Sequence, residues 1–214
     1  MEMQVLFSFL GIEVTGTVVT TWVLMLLLTV LALVLTRSLT IGVPGPRQNI
    51  AELVVEGLFS FVEETLGPEG EGYFPFIATL GLFVLTANLM AMIPWVSPPT
   101  ADLSTSLALA LMVFVVSHGT GIRRQGLGNY LQGYLSPHPL LLPLNLVGEV
   151  GKVLSHGFRL YGNMVGGGIL ISVAYMIAPW LVPVPLMGWF SVFMGIIQAV
   201  VFTMLAAVYI QLYF

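Results

Sequence analysis

Long apolar runs, separated by short polar segments, divide the chain into predicted helices. Residues 17–36 form about 20 uncharged positions, enough for an α-helix to cross a hydrocarbon core of roughly 30 Å. Arg37 ends this run, and the glycine- and proline-rich residues 42–46 stop the helix. Two further uncharged runs, 73–95 and 103–118, predict a second and a third span.

Residues 49–64 show a different pattern, with polar side chains along one helical face and apolar side chains on the other. The polar face carries Asn49, Glu52, Glu56, Ser60 and Glu63. The opposite side carries Leu53, Val54, Phe59 and Phe61. Because this segment is too charged to span, it is predicted to lie along the membrane surface as an amphipathic helix.

The last third of the chain contains two long apolar segments, 144–177 and 188–213, with a proline-rich turn between them. At 1.5 Å per residue the first segment is roughly 50 Å long, which exceeds the bilayer core. It must therefore tilt steeply or extend beyond the membrane. The predicted fold class is an all-α membrane protein with about five transmembrane or long tilted helices and one interfacial helix. The chain ends in a long slanted helical hairpin, and residues 1–214 form a single domain.

The composition agrees with this class and excludes others. Of the 214 residues, 57% are hydrophobic and 7% are charged, whereas soluble domains carry about 25% charged residues. The net charge of −4 and the lack of a basic stripe argue against nucleic acid as a partner. The absence of cysteine excludes disulfides and thiolate metal sites.

The arginines of the loops predict the orientation. Arg37 and Arg47 follow the first span, and two further crossings return Arg123 and Arg124 to the same side. Since cytoplasmic loops carry the excess of lysine and arginine, the N-terminus is expected outside and the C-terminus in the cytoplasm.

A polar ladder interrupts the first of the two long helices. Its six positions follow one another at spacings of 4, 3, 4, 3 and 4, which places them on one helical face: Asn145, Glu149, Lys152, His156, Arg159 and Asn163. A charged side chain at mid-bilayer costs roughly 2.5–3.5 kcal/mol. Several charges in one stripe therefore indicate ion handling.

Arg159 is the strongest functional candidate of this ladder. Its guanidinium stays protonated in proteins and cannot enter lipid by losing its charge. An arginine that snorkels near a helix end is the alternative, but Arg159 lies far from both predicted ends. A fixed cation in the membrane attracts a carboxylate on a moving partner and repels a cation that crosses directly.

The other polar positions leave two interpretations open. Asn163 and Gln198 either contact the same partner as Arg159 or form an ordinary interhelical contact. Glu149, Lys152 and His156 either form an internal ion-paired cluster or line a water-filled vestibule toward Arg159, with Asn145 at its start. The near-neutral pKa of an unperturbed histidine would let His156 relay protons.

Asp102 is expected to be a helix N-cap, with a role at the outer mouth of the channel as the alternative.

No catalytic motif is found, and His118, His138 and His156 lack the spacing of metal ligands, so neither a metal nor a cofactor is expected. A secondary ion transporter would show repeated halves with broken helices, and no second ladder is found. An intramembrane enzyme would need a nucleophile and a base at matching spacing, which is also missing.

Residues 155–164 read Ser-His-Gly-Phe-Arg-Leu-Tyr-Gly-Asn-Met and closely resemble the signature of subunit a of F-type ATP synthases. Further segments are similar to that family in the same order along the chain: Gly42–Gly45 with Gln48, Asn88–Pro94, Pro98–Leu103, and Ile196–Ala199 with Tyr209.

The resemblance implies a stator subunit of a rotary ATP synthase, without a catalytic site of its own, in the cell inner membrane. It implies that Arg159 faces the c-ring and meets each ring carboxylate in turn, between two offset half-channels. Asn163 and Gln198 match positions near the arginine, and Glu149 matches an acidic position before it. The implied partners are the c-ring, the peripheral stalk b subunits and membrane lipid.

Two positions depart from the family pattern. Many members carry a carboxylate or histidine where this chain has Gly168, and a titratable partner where it has Ser191. Water, the Glu149–His156 cluster or another ion must then fill one half-channel. The sequence thus leaves both the proton and sodium open as the coupling ion.

Overall fold

A computed structural model of the chain describes residues 5–9, 12–37, 39–40, 45–93, 96–135, 138–178 and 181–214. Within these residues, five helical segments are long and apolar enough to cross a membrane: Gly16–Thr36, Pro68–Met92, Leu103–Gln125, Pro139–Ile177 and Pro183–Gln211. The all-α membrane class is therefore confirmed. Three parts of the predicted pattern lie outside the described residues, namely 42–44, Trp95 and the turn residues 179–180.

The first described residues form a small β-hairpin that the sequence pattern did not predict. Strand β1 (Val5–Phe9) pairs antiparallel with β2 (Ile12–Thr15). Helix α1 (Gly16–Thr36) follows directly, and Leu24 is the only one of its residues that is fully buried. An uncharged helix with almost no buried face is suited to lipid contact over most of its surface.

Helix α2 (Pro46–Leu66) packs one edge against the bundle rather than standing apart from it. Val62 and Leu66 are buried and cluster with Ile77, Ala207 and Ile210. Gly67, with φ of 71°, ends the helix, and a 3₁₀ helix, Pro68–Tyr73, connects it to the next segment. The location of α2 at the membrane surface stays a prediction.

Helices α3 (Phe74–Leu89), α4 (Leu103–Gln125) and α8 (Met194–Gln211) enclose the main core. Its buried side chains are Leu80, Val84, Leu109, Val113, Leu160, Ala199, Phe202 and Ala206. At Gly81 a Cβ atom would lie 3.0 Å from Thr203 Oγ1, so glycine allows the close approach of α3 and α8.

Helix α4 extends beyond the predicted 103–118 and ends at Gly126, with φ of 76°. Between Gly126 and the next predicted span lies another helix, α5 (Leu127–Leu135), that the sequence pattern did not predict. Apolar and aromatic residues at helical spacing explain it, since Tyr130 and Tyr134 turn toward the bundle.

The last third of the chain contains α6 (Leu142–Ile177), the short α7 (Pro183–Met187), a π-helical turn (Gly188–Phe193) and α8. Helix α6 has 36 residues and is therefore about 54 Å long. It packs against α4 and α8, so the face of α6 that carries the polar ladder borders both helices.

Candidate functional site

Arg159 lies near the middle of α6 and on its outer surface. Among the described residues, its guanidinium has no ion-pair partner. The residues next to it on the helix, His156 and Leu160, are buried at 2% and 0% exposure. Arg159 therefore sits at the border between the packed and the outward surfaces of α6.

Asn163 and Gln198 meet across the interface between α6 and α8. The Asn163 amide Nδ2 donates a hydrogen bond to Gln198 Oε1 at 2.5 Å. Gln198 is only 4% exposed, and its Nε2 has no hydrogen-bond partner among the described residues. Asn163 lies one turn of α6 beyond Arg159. The buried Gln198 amide, which bonds to Asn163, therefore packs against the side of α6 that also carries the guanidinium.

A second polar cluster lies at the start of α6. Glu149 accepts a hydrogen bond from Lys152 Nζ at 2.7 Å, and its other oxygen lies 3.6 Å from His118 Nε2. Asn145 donates to the Tyr134 carbonyl at 2.9 Å and so fixes α5 to α6. Glu149 is thus paired with both a cation and an imidazole.

His118 is the residue of this cluster that the sequence did not single out, because His118 was considered only as a possible metal ligand. Its ring lies on α4, and its Nε2 is 3.2 Å from the Tyr134 hydroxyl. An ionisable side chain inside an otherwise uncharged span was the signal available in the sequence.

His156 lies apart from the Glu149–Lys152 pair and is buried. Its ring stacks on Phe202 with centroids 3.9 Å apart, and both ring nitrogens lack hydrogen-bond partners among the described residues. A buried polar group of this kind is normally satisfied by ordered water.

One cleft joins these residues. It has a volume of about 20 Å³ and is lined by residues of α4, α6 and the end of α8, including His118, Glu149, Lys152, His156 and Tyr213. Three residues of the polar ladder, Glu149, Lys152 and His156, therefore border this cleft.

A tyrosine cluster, Tyr130, Tyr134 and Tyr213, lies beside the same cleft. The hydroxyls of Tyr130 and Tyr134 are 2.8 Å apart, and the rings of Tyr130 and Tyr213 are 5.8 Å apart. Burial raises the pKa of Tyr213 to about 12 and also raises the pKa values of Tyr130 and Tyr134. These phenols remain neutral at physiological pH.

The remaining candidates have structural positions of their own. Asp102 caps α4 by accepting a hydrogen bond from the Ser104 backbone N–H at 3.0 Å, and it also accepts one from Thr17 Oγ1 at 2.8 Å. Ser191 is buried at 3% exposure inside the π-helical turn, whereas Gly168 is exposed. Within the described residues, no group of three or more acidic or histidine side chains could hold a metal ion.

The family model described as "ATP synthase A chain" matches residues 18–211. The chain is 45% identical to ATP synthase subunit a 1 of Syntrophotalea carbinolica, over 88% of this chain and 81% of the relative. It is 42% identical to ATP synthase subunit a of Geobacter sulfurreducens, over 89% and 84%. For the same subunit of Moorella thermoacetica the identity is 39%, over 93% and 90%.

Proposed function

The chain belongs to the ATP synthase A chain family, and from this premise we propose how it moves ions. Membership makes it the stator ion-channel subunit of a rotary ATP synthase and a multi-pass membrane protein. Its proposed task is to pass protons or sodium ions to and from a rotating c-ring through two half-channels. The chemistry of ATP itself belongs to other subunits of the complex.

The observation that carries the proposal is the position of Arg159, at mid-helix and on the outer surface, with no ion-pair partner among the described residues. A guanidinium cannot neutralise itself, so in lipid it requires an acidic partner from another chain. Ring carboxylates that pass in turn satisfy this requirement. The same fixed charge repels cations and prevents a direct leak between the half-channels.

The glycines of α6 support a rotor surface beside Arg159. Within the part of the chain that the structure describes, a Cβ atom at Gly148, Gly151, Gly162 or Gly166 would meet nothing within 4 Å. Each glycine inside a helix is unfavourable by about 0.5–1 kcal/mol relative to alanine. Since this chain's own packing does not need them there, we assign them to the close passage of partner helices.

The cleft at the start of α6 is the proposed first half-channel, lined by Glu149, Lys152 and His156. The second is proposed to reach Arg159 from the opposite end, past Asn163, Gln198 and Ser191. Because Gly168 and Ser191 carry no charge, water held by the buried amide of Gln198 is proposed to complete this path.

The proposed orientation places the cleft in the cytoplasmic half of the membrane. Arg124 lies 4.1 Å from the Phe214 ring centroid and pairs with Glu69, so the C-terminus shares one end of the bundle with the loop arginines. Thr17 and Asp102 meet through a hydrogen bond at a different place in the fold, where α1 and α4 begin. The positive-inside rule then favours an N-terminus on the outside of the membrane.

Besides the c-ring, the proposed partners are the peripheral stalk b subunits and membrane lipid. The proposed location is the cell inner membrane.

The test replaces Arg159 by alanine in the complete ATP synthase and measures ATP-driven ion pumping in reconstituted vesicles. Pumping is expected to be abolished, and the vesicles are expected to leak ions because the barrier between half-channels is gone. Arg123→Ala is the matched control, since Arg123 is exposed at the end of α4. Full pumping by the Arg159→Ala complex would refute the proposal.

A further inference from the structure

His118 occupies a position that no part of the proposal above requires. It lies on α4, yet its ring reaches three other elements: Glu149 on α6, Tyr134 on α5 and Tyr213 beyond α8. The Nε2 atom is 3.6 Å from the Glu149 carboxylate and 3.2 Å from the Tyr134 hydroxyl. The ring centroid is 5.4 Å from that of Tyr213.

The backbone fixes which ring nitrogen can exchange a proton. His118 Nδ1 lies 3.0 Å from the Phe114 carbonyl oxygen, which can only accept a hydrogen bond. Nδ1 therefore carries the hydrogen of the neutral ring, and Nε2 keeps its lone pair. That lone pair points toward the cleft, between an acid and a phenol.

Among the described residues, the ionisable groups that face the His118 ring come from α6, α5 and the C-terminal segment. Helix α6 contributes Glu149 and Lys152, which also pair with each other at 2.7 Å, and His156 lines the same cleft. Helix α5 contributes Tyr130 and Tyr134, and the C-terminal segment contributes Tyr213. The tyrosines are hydrogen-bonding partners only, because burial raises their pKa values.

We propose that His118 is a proton-relay residue at the mouth of the cleft, exchanging protons between Glu149 and water through its Nε2 atom. This inference rests on the proposed function and adds a residue to its first half-channel. In one direction the Glu149 carboxylic acid loses its proton to Nε2, leaving a carboxylate and an imidazolium. The imidazolium then gives the proton to water, which becomes hydronium, and the neutral ring is restored.

The surroundings of Glu149 also favour a proton over a sodium ion in this cleft. One carboxylate oxygen is held by the Lys152 ammonium and the other faces His118. A sodium ion needs several oxygen ligands and is repelled by an adjacent ammonium, whereas a proton needs a single acceptor.

The test uses the complete complex with His118→Ala, and measures proton pumping in reconstituted vesicles across a range of pH. Pumping is expected to fall at least about tenfold, as for the loss of a proton-transfer group. Added imidazoles should restore the rate, and the restoration should follow the pKa of the added base. His118→Phe, which fills the space left by the ring, should be equally slow but should not be rescued.

His138→Ala is the matched control, because His138 is exposed in the loop before α6. Unchanged pumping by His118→Ala, or slow pumping that no imidazole restores, would overturn the relay. The Arg159→Ala complex is measured in the same series. Loss of pumping in that complex alone would reject the role of His118 and leave the proposed function standing.

Discussion

Asn163 on α6 donates a hydrogen bond to Gln198 on α8 at 2.5 Å, one helical turn from Arg159. The two residues are separated by 35 positions in the chain. Gln198 is buried and Asn163 is more exposed, so the contact links the packed interior to the surface that carries the arginine. This contact provides a direct way to test how firmly the two long helices are joined.

A double-mutant cycle on Asn163→Ala and Gln198→Ala is expected to give a coupling free energy of about 0.5–1.5 kcal/mol. Each single substitution removes the same hydrogen bond, so the double variant should be less destabilised than the sum. The measurement is thermal dissociation of the solubilised complex. Gln211→Ala, exposed at the end of α8, is the control, and strictly additive effects would show that the contact contributes nothing.

The glycines of α6 are expected to respond to enlargement in two different ways. Gly162→Leu adds a side chain at a position where a Cβ atom would meet no described residue within 4 Å, so the subunit should remain folded in the membrane. Because that surface is proposed to face the rotor, ATP-driven pumping should fall severalfold. Protease resistance of the subunit and pumping by reconstituted vesicles are measured together.

Gly157→Leu is the matched comparison, since a Cβ atom there would lie 2.7 Å from Leu107 Cδ2 and 3.2 Å from its Cα. Overpacking at this position is expected to destabilise the subunit by about 1–3 kcal/mol and to reduce its amount in the membrane. Equal behaviour of the two variants would contradict the assignment of Gly162 to a partner surface.

The proposed orientation can be mapped by single cysteines, because the sequence contains none. Gln125→Cys, at the exposed end of α4, should react with a membrane-impermeant maleimide only from the cytoplasmic side. Ser97→Cys, exposed before the start of α4, should react only from the outside. Labelling of right-side-out and inverted vesicles gives the answer, and a reversed pattern would require the opposite orientation.

Tyr213 is expected to titrate late, because burial raises its pKa from 10.0 to about 12. A folded-state pKa above the unfolded value means that the folded protein keeps this proton at pH values where the unfolded chain releases it. The corresponding stabilisation is complete below pH 10 and is lost as the pH rises toward 12.

Tyrosinate absorbance of the solubilised complex measures this titration. Tyr213→Phe should remove part of the tyrosinate absorbance that appears above pH 10. In the unfolded protein, all tyrosines should titrate near their usual pKa of about 10. A Tyr213→Phe titration curve identical to that of the unchanged complex would contradict the burial of this phenol.

The membrane spans and the position of Arg159 near the middle of a long helix follow from the sequence by itself. Lipid imposes a local requirement, an uninterrupted apolar run of sufficient length, and such runs are readable without knowledge of any neighbour. The 3.6-residue period likewise places Arg159, Asn163 and Glu149 on one side of a helix before any packing is known. The β-hairpin was not predicted because its strands are short, and helix α5 was not predicted because its helical spacing extends over only nine residues.

Only the tertiary structure decided which side chains meet. His118 and Glu149 lie on α4 and α6, and Asn163 and Gln198 on α6 and α8, so no local pattern connects either pair. The same holds for the glycines of α6, where a Cβ atom at Gly157 would clash with Leu107 and one at Gly162 would meet no described residue within 4 Å. Contacts between helices depend on how the helices pack, and helical periodicity specifies a face without specifying its neighbour.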